Sequence, residues 1–240
     1  MTELKFDPRD RRNAYRGYRW FGHSSHLLGK ALDWTTPNWI TAVHIASTPI
    51  ILLCFAVWRM DENRDLWRLA GAVTYTLAVL SDWADGALAT YQTKYRDRVP
   101  RTDEAERALP VLARLRLRGP THTGARLDPI ADKATFYSAL LPLSVGYLPL
   151  ALILANVALA FALTAIRWPK VMDRLRFTDV RANAYGKAKM QIEITAIAAI
   201  ALFVPWPDVR YGLSVVTLTV ATACAALSLR EHFKRNRSHP

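Results

Sequence analysis

The sequence predicts an all-α integral membrane protein with six transmembrane helices and an amphipathic segment before the first. Hydrophobic residues make up 51% of the 240 residues, above the average for soluble proteins, and they are concentrated in long runs. Segments rich in Lys and Arg alternate with these runs and give a net charge of +12. Two pairs of Asp residues lie beside apolar runs, and ionisable groups in membrane segments usually mark a functional site.

Residues 1–36 are predicted to form a cytoplasmic segment at the membrane interface. They are polar and basic, without the apolar core and small-residue cleavage site of a signal peptide. Aromatic and leucine side chains, among them Tyr15, Trp20 and Leu27, could line one side of an interfacial helix. A plain basic tail is the alternative interpretation.

Residues 37–232 are predicted to form the membrane domain. Its first helix follows Thr36 and Pro37, a polar residue and a proline of the kind that begin helices. This first span is long enough to cross the hydrocarbon core. The spans cover residues 39–58, 66–91, 127–147, 148–167, 186–204 and 211–229.

A basic insertion at residues 92–122 separates the second and third spans. It is rich in Arg and contains three prolines, and residues 103–118 are predicted to form a short amphipathic helix. We expect a cytoplasmic excursion, solvated or touching lipid, without a catalytic role. Residues 233–240 are expected to form a cytoplasmic tail.

The orientation follows from the positive charge. The N-terminal segment, the insertion, the link between the fourth and fifth spans and the C-terminal tail are rich in Lys and Arg, whereas the intervening loops are not. The positive-inside rule therefore predicts cytoplasmic termini in the plasma (inner) membrane. Basic blocks interleaved with apolar helices favour an anionic membrane surface, not nucleic acid, as the partner.

The second and third spans carry the carboxylates. The first half of the motif reads Asp82-Trp-Ala-Asp85-Gly86-Ala-Leu-Ala89, and its two Asp side chains lie three residues apart. The second half reads Gly124-Ala-Arg-Leu-Asp128-Pro-Ile-Ala-Asp132-Lys133, with its two Asp four residues apart. Both spacings put a pair on one helical face.

The chemistry of these side chains predicts a metal site. Carboxylates without soft ligands suit hard cations, Mg²⁺ or Mn²⁺, and the arrangement is typical of two-metal phosphoryl transfer. Three small residues near the same faces, Gly86, Ala89 and Gly124, would let another helix or a phosphate approach closely. The alternative is that the Asp residues only cap helix ends.

The pattern D-x2-D-G-x2-A followed by G-x3-D-x3-D resembles the signature of the CDP-alcohol phosphatidyltransferases. The resemblance implies an integral membrane enzyme that transfers a phosphatidyl group from CDP-diacylglycerol to an alcohol and releases CMP. It also implies that Asp82, Asp85 and Asp128 hold the metals, and that Asp132 joins them and accepts the proton of the attacking hydroxyl. Members of the family are typically homodimers.

The resemblance extends to the entry of the first span, where Asn38 and Thr41 would help to hold the cytidine diphosphate. Gly86, Ala89 and Gly124 complete the expected donor-binding set. The chain departs from the family at His44 and Thr90, where arginines are usual, and in the length of the insertion. Cys54 and Cys224 are expected to be small buried hydrophobes.

The link before the fifth span resembles members of the family that use glycerol phosphate. They carry Gly-Lys-x-Lys at this place, here Gly186 to Lys189, and an arginine matched by Arg167. The resemblance implies that Arg167, Lys187 and Lys189 bind the phosphate of the acceptor. Glu193 stands where these relatives have glutamine. A role in topology alone is the alternative for all three cations.

The sequence therefore predicts phospholipid synthesis, with glycerol 3-phosphate as the acceptor. Inositol phosphate, serine or another alcohol is the alternative within the family. From other classes, a cation or proton transporter or an inactive membrane scaffold would also carry carboxylates in membrane helices. The transporter is disfavoured because the carboxylates lie near one membrane face and no inverted repeat is evident.

Overall fold

A computed structural model describes residues 22–61, 65–95, 103–144, 148–166, 168–175, 177, 183–202 and 207–237. Every regular element in these ranges is an α-helix. In chain order the helices are α1 (Gly22–Ala31), α2 (Pro37–Met60), α3 (Asp65–Tyr95), α4 (Asp103–Arg107), α5 (Val111–Leu115), α6 (His122–Ser144), α7 (Leu150–Ala165), α8 (Pro169–Leu175), α9 (Ala184–Leu202) and α10 (Pro207–Arg237). Arg167 and most of the N-terminal segment, including Tyr15 and Trp20, lie outside the described residues.

Each of the six predicted spans corresponds to one helix: α2, α3, α6, α7, α9 and α10. The prediction of a single helix over 103–118 is wrong, because two short helices, α4 and α5, lie there instead. Pro110 precedes α5 with an extended backbone (φ −56°, ψ 152°) and, having no N–H, cannot continue a helix through this point.

Two helices among the described residues are both long and apolar enough to cross a membrane: α2, and residues Tyr211–Asn236 of α10. Helix α7 is also apolar but has only 16 residues. The helical part of the fold prediction is confirmed, whereas six membrane crossings stay a prediction.

The chain divides into two compact units. The first unit comprises the described parts of Met1–Val43 and Leu80–Leu127. In it, the His26 ring packs edge-on against Tyr91 and Tyr95, with ring centroids 5.4 and 5.1 Å away. Helix α1 approaches α3 so closely that a Cβ added to Gly29 would lie 2.9 Å from the carbonyl oxygen of Ala87. Only glycine fits at this crossing.

The second unit comprises the described parts of His44–Val79 and Asp128–Pro240. Its apolar core is built from α2, α3, α6, α7, α9 and α10 and includes Phe55, Trp58, Phe136, Leu140 and Ile197. Helix α10 packs along α9 and also contacts α7.

One buried polar connection crosses the core of the second unit. The Asn156 side chain of α7 is fully buried; it accepts a hydrogen bond from the Tyr137 hydroxyl at 2.7 Å and donates one to Thr222 Oγ1 at 3.2 Å. Such bonds between helices satisfy polar groups that an apolar environment would leave without partners, and so help to fix the packing of α6, α7 and α10.

Candidate active site

The first half of the motif lies on α3, within the first unit. Asp82 is half-buried, and Asp85 is 8% exposed. Thr41 of α2 donates a hydrogen bond from its hydroxyl to Asp85 Oδ2 at 2.9 Å, and the same hydroxyl lies 3.2 Å from the Pro37 carbonyl oxygen. The bond joins the start of α2 to the motif and fixes the orientation of one predicted metal ligand.

The small residues of the motif leave space beside Asp85. A Cβ added to Gly86 would meet no described atom within 4 Å, and Ala89 is half-buried one turn further on. Thr90, where the family usually has arginine, is exposed and donates its hydroxyl to the Gly86 carbonyl oxygen at 2.8 Å. It therefore provides no cation at this face.

Asn38 and Gly124 are brought together in the first unit. Asn38 is 1% exposed, and its amide donates to the Arg114 carbonyl oxygen at 2.8 Å while its Oδ1 accepts from the Thr121 hydroxyl at 2.9 Å. A Cβ on Gly124 would lie 2.7 Å from that same Oδ1. Asn38 thus holds the chain that leads into α6, and Gly124 is small because Asn38 lies against it.

Gln92, which sequence reasoning did not single out, joins three segments of the first unit. Its side chain is fully buried; Oε1 accepts from the Gly119 N–H at 2.7 Å, and Nε2 donates to the Thr35 carbonyl oxygen at 3.1 Å and to Asp33 at 3.3 Å. A lone amide near the end of an apolar helix was the available signal, because an amide side chain is rarely buried without hydrogen-bond partners.

Glu106 is a second residue that sequence reasoning missed. It is 3% exposed, and its carboxylate accepts hydrogen bonds from the backbone N–H groups of His122 at 3.2 Å and Thr123 at 3.1 Å. These are free donors at the first turn of α6, where a negative charge is favourable. The insertion therefore caps the helix that carries the second half of the motif.

The second half of the motif continues along α6 into the second unit. Asp128 and Asp132 are both half-buried and lie one turn apart. Asp132 interacts electrostatically with the Tyr75 side chain of α3, which belongs to the same unit. Each predicted carboxylate pair is thus presented on one helix, as the spacing predicted.

The predicted phosphate-binding cations have different environments. Lys187 is exposed near the start of α9, whereas Lys189 is 4% exposed and forms an ion pair with Glu193 one turn further along the helix. Arg167 lies outside the described residues. His44, the other departure from the family pattern, is buried, and its Nε2 has no hydrogen-bond partner in the part of the chain that the structure describes.

The four motif carboxylates have the donor chemistry that Mg²⁺ and Mn²⁺ prefer, and Asp85 already accepts an orienting hydrogen bond. Across the described ranges, no group of three or more His, Cys, Asp or Glu side chains is assembled as the ligands of one metal ion. The two-metal site therefore stays a prediction that rests on the motif.

Comparison with known proteins points to one family. The family model described as CDP-alcohol phosphatidyltransferase matches residues 34–92 and 111–227, well over half of the chain. The match leaves out residues 93–110, a shorter segment than the predicted insertion. No solved structure matches the chain.

Two curated relatives carry the same name, CDP-diacylglycerol–glycerol-3-phosphate 3-phosphatidyltransferase. The protein from Bacillus subtilis (strain 168) is 28% identical over 209 residues, which cover 83% of this chain and 94% of the relative. The protein from Rickettsia bellii (strain RML369-C) is 30% identical over 175 residues, which cover 71% of this chain and 77% of the relative.

Proposed function

Because this chain belongs to the CDP-alcohol phosphatidyltransferase family, we propose that it transfers a phosphatidyl group from CDP-diacylglycerol to glycerol 3-phosphate and releases CMP. The observation that carries the proposal is the two-part carboxylate motif, in the family's order and within the matched residues. The resemblance found in the sequence is confirmed at the level of the family. The chain is a membrane-associated transferase of phospholipid synthesis.

The family generally depends on divalent metal ions. We assign Asp82, Asp85 and Asp128 as ligands of two such ions, Mg²⁺ or Mn²⁺, with Asp132 beside them. Bound divalent ions supply positive charge that neutralises the diphosphate of the donor and the departing CMP. Thr41 supports this assignment because it holds the Asp85 carboxylate in one orientation.

Asp132 is assigned as the general base. In the proposed step its carboxylate accepts the proton of the acceptor hydroxyl, and the acceptor oxygen forms a bond to the phosphorus that carries diacylglycerol. The bond between that phosphorus and the oxygen leading to CMP breaks, and CMP leaves with the electron pair. The product is a phosphatidyl ester of the acceptor.

The donor is proposed to bind beside the first half of the motif. Gly86 and Ala89 leave an open face on α3, which suits the close approach of a diphosphate. Thr41 would support this face through its bond to Asp85, and Asn38 and Gly124 complete the proposed donor-binding set. Their direct contact with the donor is a prediction from the family resemblance.

The acceptor phosphate is proposed to bind to Lys187, Lys189 and Arg167. Lys187 is exposed at the start of α9, where a soluble substrate has access. A guanidinium and two ammonium groups would supply the charge-assisted hydrogen bonds that a phosphate needs.

We also propose that the chain crosses the inner membrane six times with both termini in the cytoplasm, because the Lys- and Arg-rich segments alternate with the helices. Helix α3 supports this proposal. Its residues Leu69, Val73, Leu77 and Leu80 form an apolar stripe and are each about half exposed or more. Such a stripe suits contact with lipid or with a second copy of the chain, and a homodimer is the assembly that the family resemblance predicts.

The proposal is tested by incubating the purified protein with CDP-diacylglycerol, Mg²⁺ or Mn²⁺, and one acceptor at a time: glycerol 3-phosphate, inositol phosphate, serine and glycerol. We expect CMP release and a phosphatidylglycerophosphate product with glycerol 3-phosphate. A higher rate with serine or inositol phosphate would reject the acceptor and keep the transfer reaction. No CMP release with any acceptor would reject the activity.

A further inference from the structure

The ion pair between Lys189 and Glu193 lies one turn apart on α9, inside the second unit. The side chains of the two residues are only 5% and 10% exposed. The Lys189 ammonium also lies 6.0 Å from the centre of the Phe136 ring on α6. The pair is therefore packed against the core of the unit, away from solvent.

Packing alone does not explain a buried ion pair. Removing two charges from water carries a desolvation cost that their mutual attraction often fails to exceed, and two apolar side chains would fill the same volume at least as well. The acid–base pair at the same spacing on α10, Glu231 with Arg235, is far more exposed, at 34% and 41%.

The position of the pair relates it to the proposed chemistry. Tyr75 interacts electrostatically with Glu193 and with Asp132, so the charges of the ion pair's acid and of the proposed general base both act on one side chain of α3. Tyr137 also interacts with the Glu193 charge. Lys189 and Asp132 both belong to the second unit, and Asp132 and the partner of Lys189 act on the same tyrosine.

We propose that Glu193 is a positioning residue that sets the affinity for the acceptor. Its carboxylate holds the Lys189 ammonium where the acceptor's phosphate binds, and the incoming phosphate displaces the carboxylate from the ammonium. The inference rests on the proposed function. It differs from a role for Lys189 alone, because it predicts that Glu193 competes with the substrate. Removing the Glu193 charge therefore strengthens acceptor binding, which loss of a purely structural ion pair would not do.

The test compares Glu193→Gln with wild type in detergent, measuring KM for glycerol 3-phosphate, KM for CDP-diacylglycerol and kcat. Glu231→Gln is the matched control, because it removes the acid of the exposed pair at the same spacing. We expect Glu193→Gln to lower KM for the acceptor roughly tenfold, the lower end of what a charge-assisted hydrogen bond contributes. KM for the donor and both KM values of the control should change little.

Inorganic phosphate provides a second readout, since it carries the competing charge without the alcohol. Its inhibition constant against glycerol 3-phosphate should fall in Glu193→Gln by the same factor as KM. An acceptor KM that is unchanged or raised in Glu193→Gln would overturn the inference. Wild-type protein that releases no CMP with glycerol 3-phosphate would instead reject the proposed acceptor, so the two failures are distinguishable.

Glu193→Asp covers the case in which Glu193→Gln does not fold. The shorter carboxylate keeps the charge but reaches the ammonium less well, so we expect a smaller decrease in the acceptor KM. An unchanged KM in that variant, or failure of both variants to fold, would mean that the pair is structural and would overturn the inference.

Discussion

The Asp85 carboxylate shows how one residue of the motif is prepared for its role. A buried carboxylate is costly unless its oxygens have hydrogen-bond partners, and the Thr41 hydroxyl supplies one at 2.9 Å. The oxygen is then held in one orientation before any ligand arrives. Thr41 belongs to α2 and Asp85 to α3, so the bond also joins two helices at the cytoplasmic end that the charge pattern predicts.

Thr41→Val tests this positioning. The substitution keeps the shape of the side chain and removes the donor, which costs about 1.5–3 kcal/mol for a bond to a charged group. We expect a higher divalent-ion concentration for half-maximal activity and roughly tenfold lower kcat/KM at limiting metal. Thr76→Val is the control, because the Thr76 hydroxyl is exposed and bonds only within its own helix, to Ala72. Equal effects in the two variants would contradict a special role for Thr41.

The sequence could not predict the hydrogen-bond and ion-pair partners of the polar side chains in the site. The motif identifies Asn38 as a polar residue at the start of a membrane helix. The structure shows that its amide donates to the Arg114 carbonyl oxygen and accepts from the Thr121 hydroxyl, both more than seventy positions away. Likewise, the spacing of Lys189 and Glu193 allows an ion pair, but the spacing does not reveal that the pair is buried. Such contacts depend on long-range packing, whereas the carboxylate faces follow from helical periodicity alone.

At the scale of elements, the start of α6 is the best example of one segment supporting another. Glu106 comes from the segment that the family match leaves out, and it accepts from the first-turn N–H groups of His122 and Thr123. The helix that carries Asp128 and Asp132 therefore begins at a position set by the insertion. The expectation of an excursion without a catalytic role is untested, but this segment contributes to the packing of the first unit.

Glu106→Ala should destabilise the protein by about 0.5–2 kcal/mol, the usual effect of losing a helix cap. We expect thermal unfolding in detergent to begin several degrees lower and activity to fall with it. Glu104→Ala is the control, because Glu104 lies in the same short helix and is exposed. If both variants unfold like wild type, Glu106 is not a cap that the fold requires.

The close contact between α1 and α3 predicts that a larger residue at the crossing lowers the thermal stability. Gly29→Ala places a methyl group against Tyr91 and the Ala87 carbonyl oxygen, so α1 must move away from the motif helix. We expect lower thermal stability. Gly212→Ala is the control, since a Cβ there meets no described atom within 4 Å, and alanine favours a helix by about 1 kcal/mol over glycine. A Gly29→Ala variant as stable as wild type would contradict the close crossing.

For the whole molecule, the six long helices could be predicted because each is an apolar run bounded by polar or proline residues. Their ends could not, since α10 continues to Arg237 through charged residues that a hydropathy pattern excludes. The structure of the insertion was the hardest to predict. Its alternating Arg and Leu residues suggested one helix, whereas two short helices lie on either side of Pro110. Charged segments carry weak periodic signals, so their structure depends on contacts such as those of Glu106 and Arg114.

The proposed orientation is tested by introducing single cysteines into a variant without Cys54 and Cys224. Asp208 and Lys234 are both exposed and lie near opposite ends of α10. The positive-inside rule predicts that a membrane-impermeant thiol reagent labels Asp208→Cys in intact cells and labels Lys234→Cys only after the membrane is opened. The reverse pattern would contradict cytoplasmic termini, and labelling of both in intact cells would contradict a membrane-crossing α10.

The most direct test of the central claim is acceptor-dependent CMP release by wild type and by Asp132→Asn, purified and assayed side by side with CDP-diacylglycerol, glycerol 3-phosphate and Mg²⁺ or Mn²⁺. Asparagine keeps the size of the side chain and removes the base, and loss of a general base lowers rates by about 10²–10⁴-fold. We predict release by wild type only when both the acceptor and the divalent ion are present, and a loss of that size in Asp132→Asn at unchanged folding. Wild-type-like turnover by Asp132→Asn, or CMP release that does not depend on the acceptor, would contradict the account.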